Sequence, residues 1–210
     1  MRRTTFAAVA VVALVALSGC AGIIGSDGGG IGASTVNDHE SALTDTSFTT
    51  TINLTSQGLQ TLSTVEIDPG DDQYLQSSTS LGRSTTLYTS GDTTYRRSGQ
   101  GNQTTVQTVE NPVNATSART GGQLFAAFLS ENVTYDKKGT ETVDGVEVTR
   151  YEANGADAVS ESFKQETLAS TTLENFSGTV LIDGDGIIRT FEVSITANQS
   201  GESVTTTYRV

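Results

Sequence analysis

GTVLIDGDGIIRTFEVSI, from Gly178 to Ile195, contains a complete hairpin within eighteen residues. Four turn formers, Asp183-Gly184-Asp185-Gly186, separate two apolar arms. On the return arm Phe191, Val193, Ile195 and Ala197 share one face, and Thr190, Glu192, Ser194 and Thr196 take the other. A period of two with one polar face is the pattern of an antiparallel strand wetted on one side. The same alternation recurs in both directions along the chain. Phe48, Thr50, Ile52 and Leu54 oppose Ser47, Thr49, Thr51, Asn53 and Thr55, and Val204, Thr206, Tyr208 and Val210 follow the pattern again. Further turns are predicted at Asp144-Gly145, Pro69-Gly70 and Gly91-Asp92.

Three segments leave this rhythm. Ser34 to Thr46 has cap character at Ser34 or Thr35, followed by a short amphipathic run through His39 and Leu43. Ser117 to Ser130 places Leu124, Phe125, Phe128 and Leu129 on one helical stripe. Ala156 to Leu173 carries Val159, Phe163 and Leu168 on a more polar helix, suited to a surface or to the mouth of an opening. The expected order is a helix, five or six strands, a helix, a strand pair, a helix and three closing strands.

The N-terminus reads as a processing signal. Arg2 and Arg3 precede an apolar run of 12 residues, Phe6 to Leu17, too short for the ~20 residues a spanning helix needs. Leu17-Ser18-Gly19-Cys20 then resembles a lipobox, which implies cleavage before Cys20 and a thioether-linked diacyl or dialkyl glycerol on its sulfur. The arginine pair is compatible with twin-arginine export as well as the general route. Two such chains anchor a protein durably at about 0.8 kcal/mol per buried methylene. Ala21 to Ala33 carries six glycines in thirteen residues, a flexible tether with a root-mean-square reach of about 20 Å.

Composition narrows the chemistry. One Cys and one His in 210 residues leave no disulfide, no thiolate or multi-His metal centre and no ready triad, so neither cofactor nor metal is expected. A net charge of -12, with 24 acidic against 12 basic residues, disfavours nucleic acid. Only three of the basic residues are lysines, a halophile-like balance whose self-repulsion strong salt would screen. Six of nine asparagines open an N-x-S/T sequon: Asn53, Asn102, Asn114, Asn132, Asn175 and Asn198. With 57 Ser and Thr in the chain, chance supplies about two to three, so these are glycosylation candidates and a second pointer outside the cytoplasm.

The hairpin VDGVEVTRYE (Val143 to Glu152) between the second and third helical segments, the lipobox and the late hairpin at Gly178 to Ile195 together resemble the lipoprotein-carrier half-barrel superfamily, the fold of LolA, LolB and LppX. The acidic, sequon-rich composition looks like lipoproteins of haloarchaeal type. The resemblance implies an α+β fold, a strongly curved antiparallel sheet forming an unclosed half-barrel, with about three helices against its concave face. It divides the chain into a signal peptide (1–19), a lipidated Cys with a Gly-rich tether (20–33) and a LolA-like domain (34–210).

Two functional readings follow, both non-enzymatic. In the first, a membrane-anchored extracytoplasmic lipoprotein binds a lipid or other amphiphile as carrier or sensor, with Leu124, Phe125, Phe128, Val159 and Phe163 as cavity candidates. In the second, a filled half-barrel serves as an interaction module for an envelope protein. No constellation supports catalysis: Asp183 and Asp185 read as a hairpin turn rather than a calcium loop, and His39 as an exposed or capping residue. Arg96-Arg97 and Lys137-Lys138 read as solvated strand ends or loops, with contact to lipid headgroups as the other reading. Glu66, Asp68, Asp71 and Asp72 read as a solvated acidic turn ahead of a cation site.

Overall fold

Thr is the commonest residue of the alternating segments, and branching at Cβ suits a pleated backbone. The computed structural model of the protein describes residues 31–70, 73–90, 93–100, 103–109, 120–167, 171–199 and 202–210. Helix α1 (Ala33–Leu43) leads into six strands, β1 (Phe48–Ser56), β2 (Leu59–Asp68), β3 (Gln73–Ser80), β4 (Arg83–Ser90), β5 (Thr93–Gln100) and β6 (Gln103–Val109). Helix α2 (Gly122–Phe128) precedes the pair β7 (Asp136–Val143) and β8 (Val146–Asn154). A 3-10 turn (Ala156–Ala158) and helix α3 (Glu161–Thr167) then lead to β9 (Thr172–Asp183), β10 (Ile188–Gln199) and β11 (Glu202–Arg209).

All eleven strands form one antiparallel sheet in the order β6-β5-β4-β3-β2-β1-β11-β10-β9-β8-β7. It is an open half-barrel, because β6 and β7 stand at opposite edges. Two meanders are joined where β1 pairs with β11, Leu54 opposite Tyr208 and Ser56 opposite Thr206. Tight turns set the registers. Gln57-Gly58, Leu81-Gly82 and Asp144-Gly145 each place two consecutive residues at positive φ, the primed geometry that matches strand twist. The turns expected at Asp144-Gly145, Pro69-Gly70 and Asp183 to Gly186 are present, while Gly91-Asp92 lies outside the described residues.

The two edges differ. β7 carries Lys137 and Lys138 and a register shift between Lys137 and Gly139, features that discourage further pairing. β6 is an uncharged strand, QTTVQTV, with Val106 64% exposed.

The helices lie on one face of one half of the sheet. Val36, Phe125, Phe128, Leu129, Val159 and Phe163 pack on Phe176, Val180, Phe191 and Val193, with Tyr208 at the border. Each such ring or branched chain contributes about 1.5–3 kcal/mol of burial. Among the described residues this cluster takes nothing from β1–β6. Ile31, at the end of the expected tether, already packs against it.

The third helical segment differs from its expectation of Ala156 to Leu173. Val159 instead bridges Val133, and Ser160 opens α3 by accepting the Phe163 N–H at 3.2 Å. Thr172 already belongs to β9, so the helix is limited to Glu161–Thr167; Leu168 lies outside the described residues. Val159 and Phe163 are buried in the core and do not stand at a surface.

At Gly178 the sheet needs a missing side chain. A Cβ there would come within 2.8 Å of the Tyr135 hydroxyl and 2.9 Å of its ring. Tyr135 therefore lies flat on β9, with its hydroxyl buried and without a hydrogen-bond partner, and burial pushes its phenol above the usual tyrosine range.

Candidate functional site

The five cavity candidates come together. Phe125, Phe128, Val159 and Phe163 are buried and Leu124 half-buried, all in the cluster between the helices and the sheet. Phe128 occupies its centre, with ring centroids 5.8 Å from Phe163, 6.4 Å from Phe176, 6.1 Å from Phe191 and 5.7 Å from Tyr208. These are ordinary aromatic packing distances, so the rings fill much of the space between α2 and β9–β11 themselves. Tyr208 is also the register partner of Leu54, which puts the cluster directly beside the inner face of β1.

That inner face continues across β1–β6 in rows set by the pairing. One row is Phe48, Ile67, Tyr74, Thr89, Thr94 and Val109. The next is Thr50, Val65, Gln76, Leu87, Arg96 and Gln107, followed by Ile52, Ser63, Ser78, Thr85, Ser98 and Thr105. On β1–β6 only Val65, Tyr74, Thr89 and Thr94 are buried among the described residues. The surface mixes apolar groups with a hydroxyl and amide network. The Tyr74 hydroxyl donates to Gln76 Oε1 at 2.7 Å, Gln76 Nε2 donates to Ser63 at 3.3 Å, and the Thr89 and Thr94 hydroxyls lie 2.8 Å apart.

Within these rows there is no Asp or Glu. Glu66 belongs to the opposite, convex face, opposite Thr49 and Leu75. The two adjacent arginines therefore diverge. Arg97 is exposed on the convex face, in register with Thr86 and Val106. Arg96 is half-buried on the concave face, and its Nε is closed off from solvent with no hydrogen-bond partner. Expecting both to be solvated was wrong for Arg96, because alternation sends neighbours to opposite faces. Lys137 and Lys138 are exposed on the β7 edge, and Lys138 pairs with Asp136 at 3.2 Å.

His39 is buried, which overturns its reading as an exposed or capping residue. Its Nδ1 accepts the Ile188 N–H at 3.1 Å, so Nε2 carries the proton and donates to the Thr120 carbonyl at 3.3 Å. The ring meets Phe125 edge-on at 5.2 Å. Burial lowers its pKa, with the Thr120 carbonyl and Asp183 opposing that shift and Arg189 adding to it. Both nitrogens are engaged by main chain, so His39 ties α1 to the start of α2 and to β10 and has no lone pair left for a substrate.

Asp183 acts in the turn, as its reading expected. Its Oδ1 accepts the Asp185 and Ile187 N–H groups at 3.0 and 2.9 Å, and Oδ2 accepts from Arg189 Nε at 2.7 Å. Its side chain is 2% exposed. Asp68 accepts from Ser47 at 3.1 Å and Glu66 is exposed, while Asp71 and Asp72 lie outside the described residues. Among the described residues no three His, Cys, Asp or Glu side chains group as metal ligands would.

Of the modification candidates, Cys20, Asn102 and Asn114 lie outside the described residues. Asn175 is exposed on β9. Asn53 Oδ1 accepts from Gln60 Nε2 at 3.1 Å, Asn132 Nδ2 reaches the Ala127 main-chain carbonyl at 3.5 Å, and Asn198 Nδ2 donates to Glu174 at 3.2 Å.

A groove of about 510 Å³ is lined mostly by residues of the convex face, Glu66, Asp68, Leu75 and Tyr88 among them, together with Phe48, Ile67 and Tyr74 of the first concave row. Tyr88 and Tyr95, cross-strand partners, are 38% and 45% exposed on the convex face.

A family model described as "Family of unknown function (DUF7537)" matches residues 5–210. No curated protein matches the chain. Among solved structures, the chain is similar to LprF from Mycobacterium bovis, at 12% identity and a TM-score of 0.37, covering 84% of this chain and 90% of that one. It is also similar to the lipoprotein LppX of Mycobacterium tuberculosis, at 14% identity and a TM-score of 0.32, covering 85% and 92%. A LolA superfamily protein from Nitrosomonas europaea aligns at 11% identity and a TM-score of 0.25, covering 85% and 91%.

Proposed function

The chain belongs to the family of unknown function DUF7537, and from that premise we propose that it is a lipid-anchored, extracytoplasmic, non-catalytic protein that holds a lipid or other amphiphile on the concave face of its half-barrel. The observation that carries this reading is the division of one sheet into two halves. β8–β11 are covered by helices and aromatic rings, whereas the inner face of β1–β6 is largely half-exposed and mixes apolar and hydroxyl groups. An acyl chain lying beside Leu54 and Ile52 would meet Tyr208 and Phe128, so the cavity candidates Leu124, Phe125, Phe128, Val159 and Phe163 act here as the wall that bounds the ligand. Burying apolar surface yields about 25 cal/mol per Å², enough to retain a long-chain amphiphile. Cys20 would bear the anchor, and of the four described sequons the exposed Asn175 is best placed to carry a glycan.

Mass spectrometry of the protein extracted from its own membrane tests this reading. Denatured, it is expected to begin at a lipid-modified Cys20; under native conditions, to release a stoichiometric amphiphile only on unfolding. A chain with an intact Met1 and a free thiol would overturn the anchoring, and a protein that arrives empty would overturn the carrier role. The second reading, an envelope interaction module, is favoured by the exposed Tyr88–Tyr95 row beside the groove and is the one an empty protein would leave standing.

A further inference from the structure

Four of the described arginines have side-chain partners: Arg83 donates to Gln100, Arg150 to Glu141 and Glu152, Arg189 to Asp183, and Arg209 to Glu192. Arg96 has none. Arg97 has none either, but it is exposed on the convex face, where water serves a guanidinium. One whose Nε is closed to water without an acceptor carries a desolvation penalty that native proteins rarely leave uncompensated. The described residues around it offer no carboxylate. Its cross-strand neighbours are Leu87 and Gln107, its neighbours along β5 on the same face are Thr94 and Ser98, and the concave rows of β1–β6 contain no Asp or Glu.

We propose that Arg96 is the anion-binding group of the concave face, receiving the phosphate or carboxylate of the bound molecule. This inference rests on the amphiphile-binding reading and adds the chemistry of the headgroup. The planar fork of arginine matches such an anion with two parallel hydrogen bonds. Thr94, Thr89 and Gln107 stand in adjacent register positions to take further oxygens, while Leu87 and Val65, in the same row, lead an apolar chain away toward β1. The acidic exterior repels anions, and the concave rows, with no carboxylate of their own, are where one can settle.

The test uses the full-length protein and isothermal titration at roughly 0.15 M salt, with dodecyl phosphate, the uncharged dodecyl maltoside of equal tail, and inorganic phosphate. Dodecyl phosphate is expected to bind with 1:1 stoichiometry, and Arg96→Gln to weaken it about 10- to 100-fold while leaving dodecyl maltoside unchanged. Arg97→Gln removes the same charge from the convex face and is expected to leave both unchanged. Thermal melting of Arg96→Gln alone is expected to match the parent or exceed it, because the deleted donor has no partner to lose. Binding of inorganic phosphate as tight as that of dodecyl phosphate, equally dependent on Arg96, would support the anion site and name a free anion as its source. Arg96→Gln binding dodecyl phosphate within twofold of the parent, or weakening both amphiphiles alike, would overturn the inference while leaving the carrier reading intact. No binding of either amphiphile to the parent would overturn the carrier reading; if inorganic phosphate also failed to bind, the inference would fall with it.

Discussion

Replacing His39 by Ala would test whether one side chain holds three elements together. The imidazole satisfies the Ile188 N–H and the Thr120 carbonyl, and both residues are buried. Deleting it leaves the Ile188 N–H without its acceptor, at about 1–3 kcal/mol, takes one donor from the Thr120 carbonyl, at about 0.5–1.5 kcal/mol, and opens a void beside Phe125. Partial collapse of that void limits its contribution, so a total of about 3–6 kcal/mol is expected. For a domain of this size that lowers Tm by about 2–4 °C per kcal/mol, or roughly 6–24 °C. The effect should also depend on pH. Burial holds the folded-state pKa below the ordinary value of 6.5, so below that value the unfolded chain binds a proton the folded one refuses. The contribution of His39 is therefore fully present above about pH 6.5 and is lost as pH falls from there toward the lowered folded value. Calorimetric unfolding of parent and His39→Ala between about pH 5 and pH 8 separates this from carboxylate titration, which both proteins share. A gap between the two Tm values that stays constant over this range, or one under about 2 °C, would refute the account.

Five other substitutions, at four positions, probe the packed half. Asp183→Ala removes the acceptor for two turn N–H groups and for Arg189, and should destabilise by about 2–4 kcal/mol in denaturant unfolding, whereas Asp183→Asn keeps one oxygen in place and should lose less than half of that. Gly178→Ala forces Tyr135 off β9 and should lower stability by about 1–3 kcal/mol; Tyr135→Phe, which deletes a hydroxyl with no partner, should leave the urea midpoint unchanged or raise it. Phe128→Ala, at the centre of four aromatic contacts, should lower stability by about 3–5 kcal/mol, and a smaller loss would mean the cluster is looser than its ring distances indicate.

Strand alternation made most of the sheet readable from sequence. Phe48 to Leu54 and Phe191 to Ala197 each predict a face, and the structure places both on the concave side. Asp144-Gly145 and the turn after Asp183 were legible because Gly and Asp favour the required backbone. The α2 stripe, Leu124, Phe125, Phe128 and Leu129, was equally clear. The third helix was overextended because Val159 is apolar at helical spacing and yet bridges Val133, a contact that only the fold supplies. His39 could not be placed because its partner at Ile188 lies 149 residues away. Arg96 was half legible: alternation alone says that it and Arg97 face opposite ways, but which way is inward depends on where the helices dock. The acid-free concave rows could have been found by extending the parity of Phe48 and Ile52 across each hairpin.

The pairing of β1 with β11 fixes an order of events during synthesis. β1–β6 form a meander of neighbours that can assemble as it emerges from the ribosome. β11 is made last, and Ser56 meets Thr206 across 150 residues. Until then β1 and β10 are free edges in addition to β6 and β7, and Leu54 has water where Tyr208 will stand. Contacts this distant in sequence form slowly, so joining the two halves is expected to be the late step of folding. For as long as it takes, the nascent protein exposes a strand that any other chain could pair with.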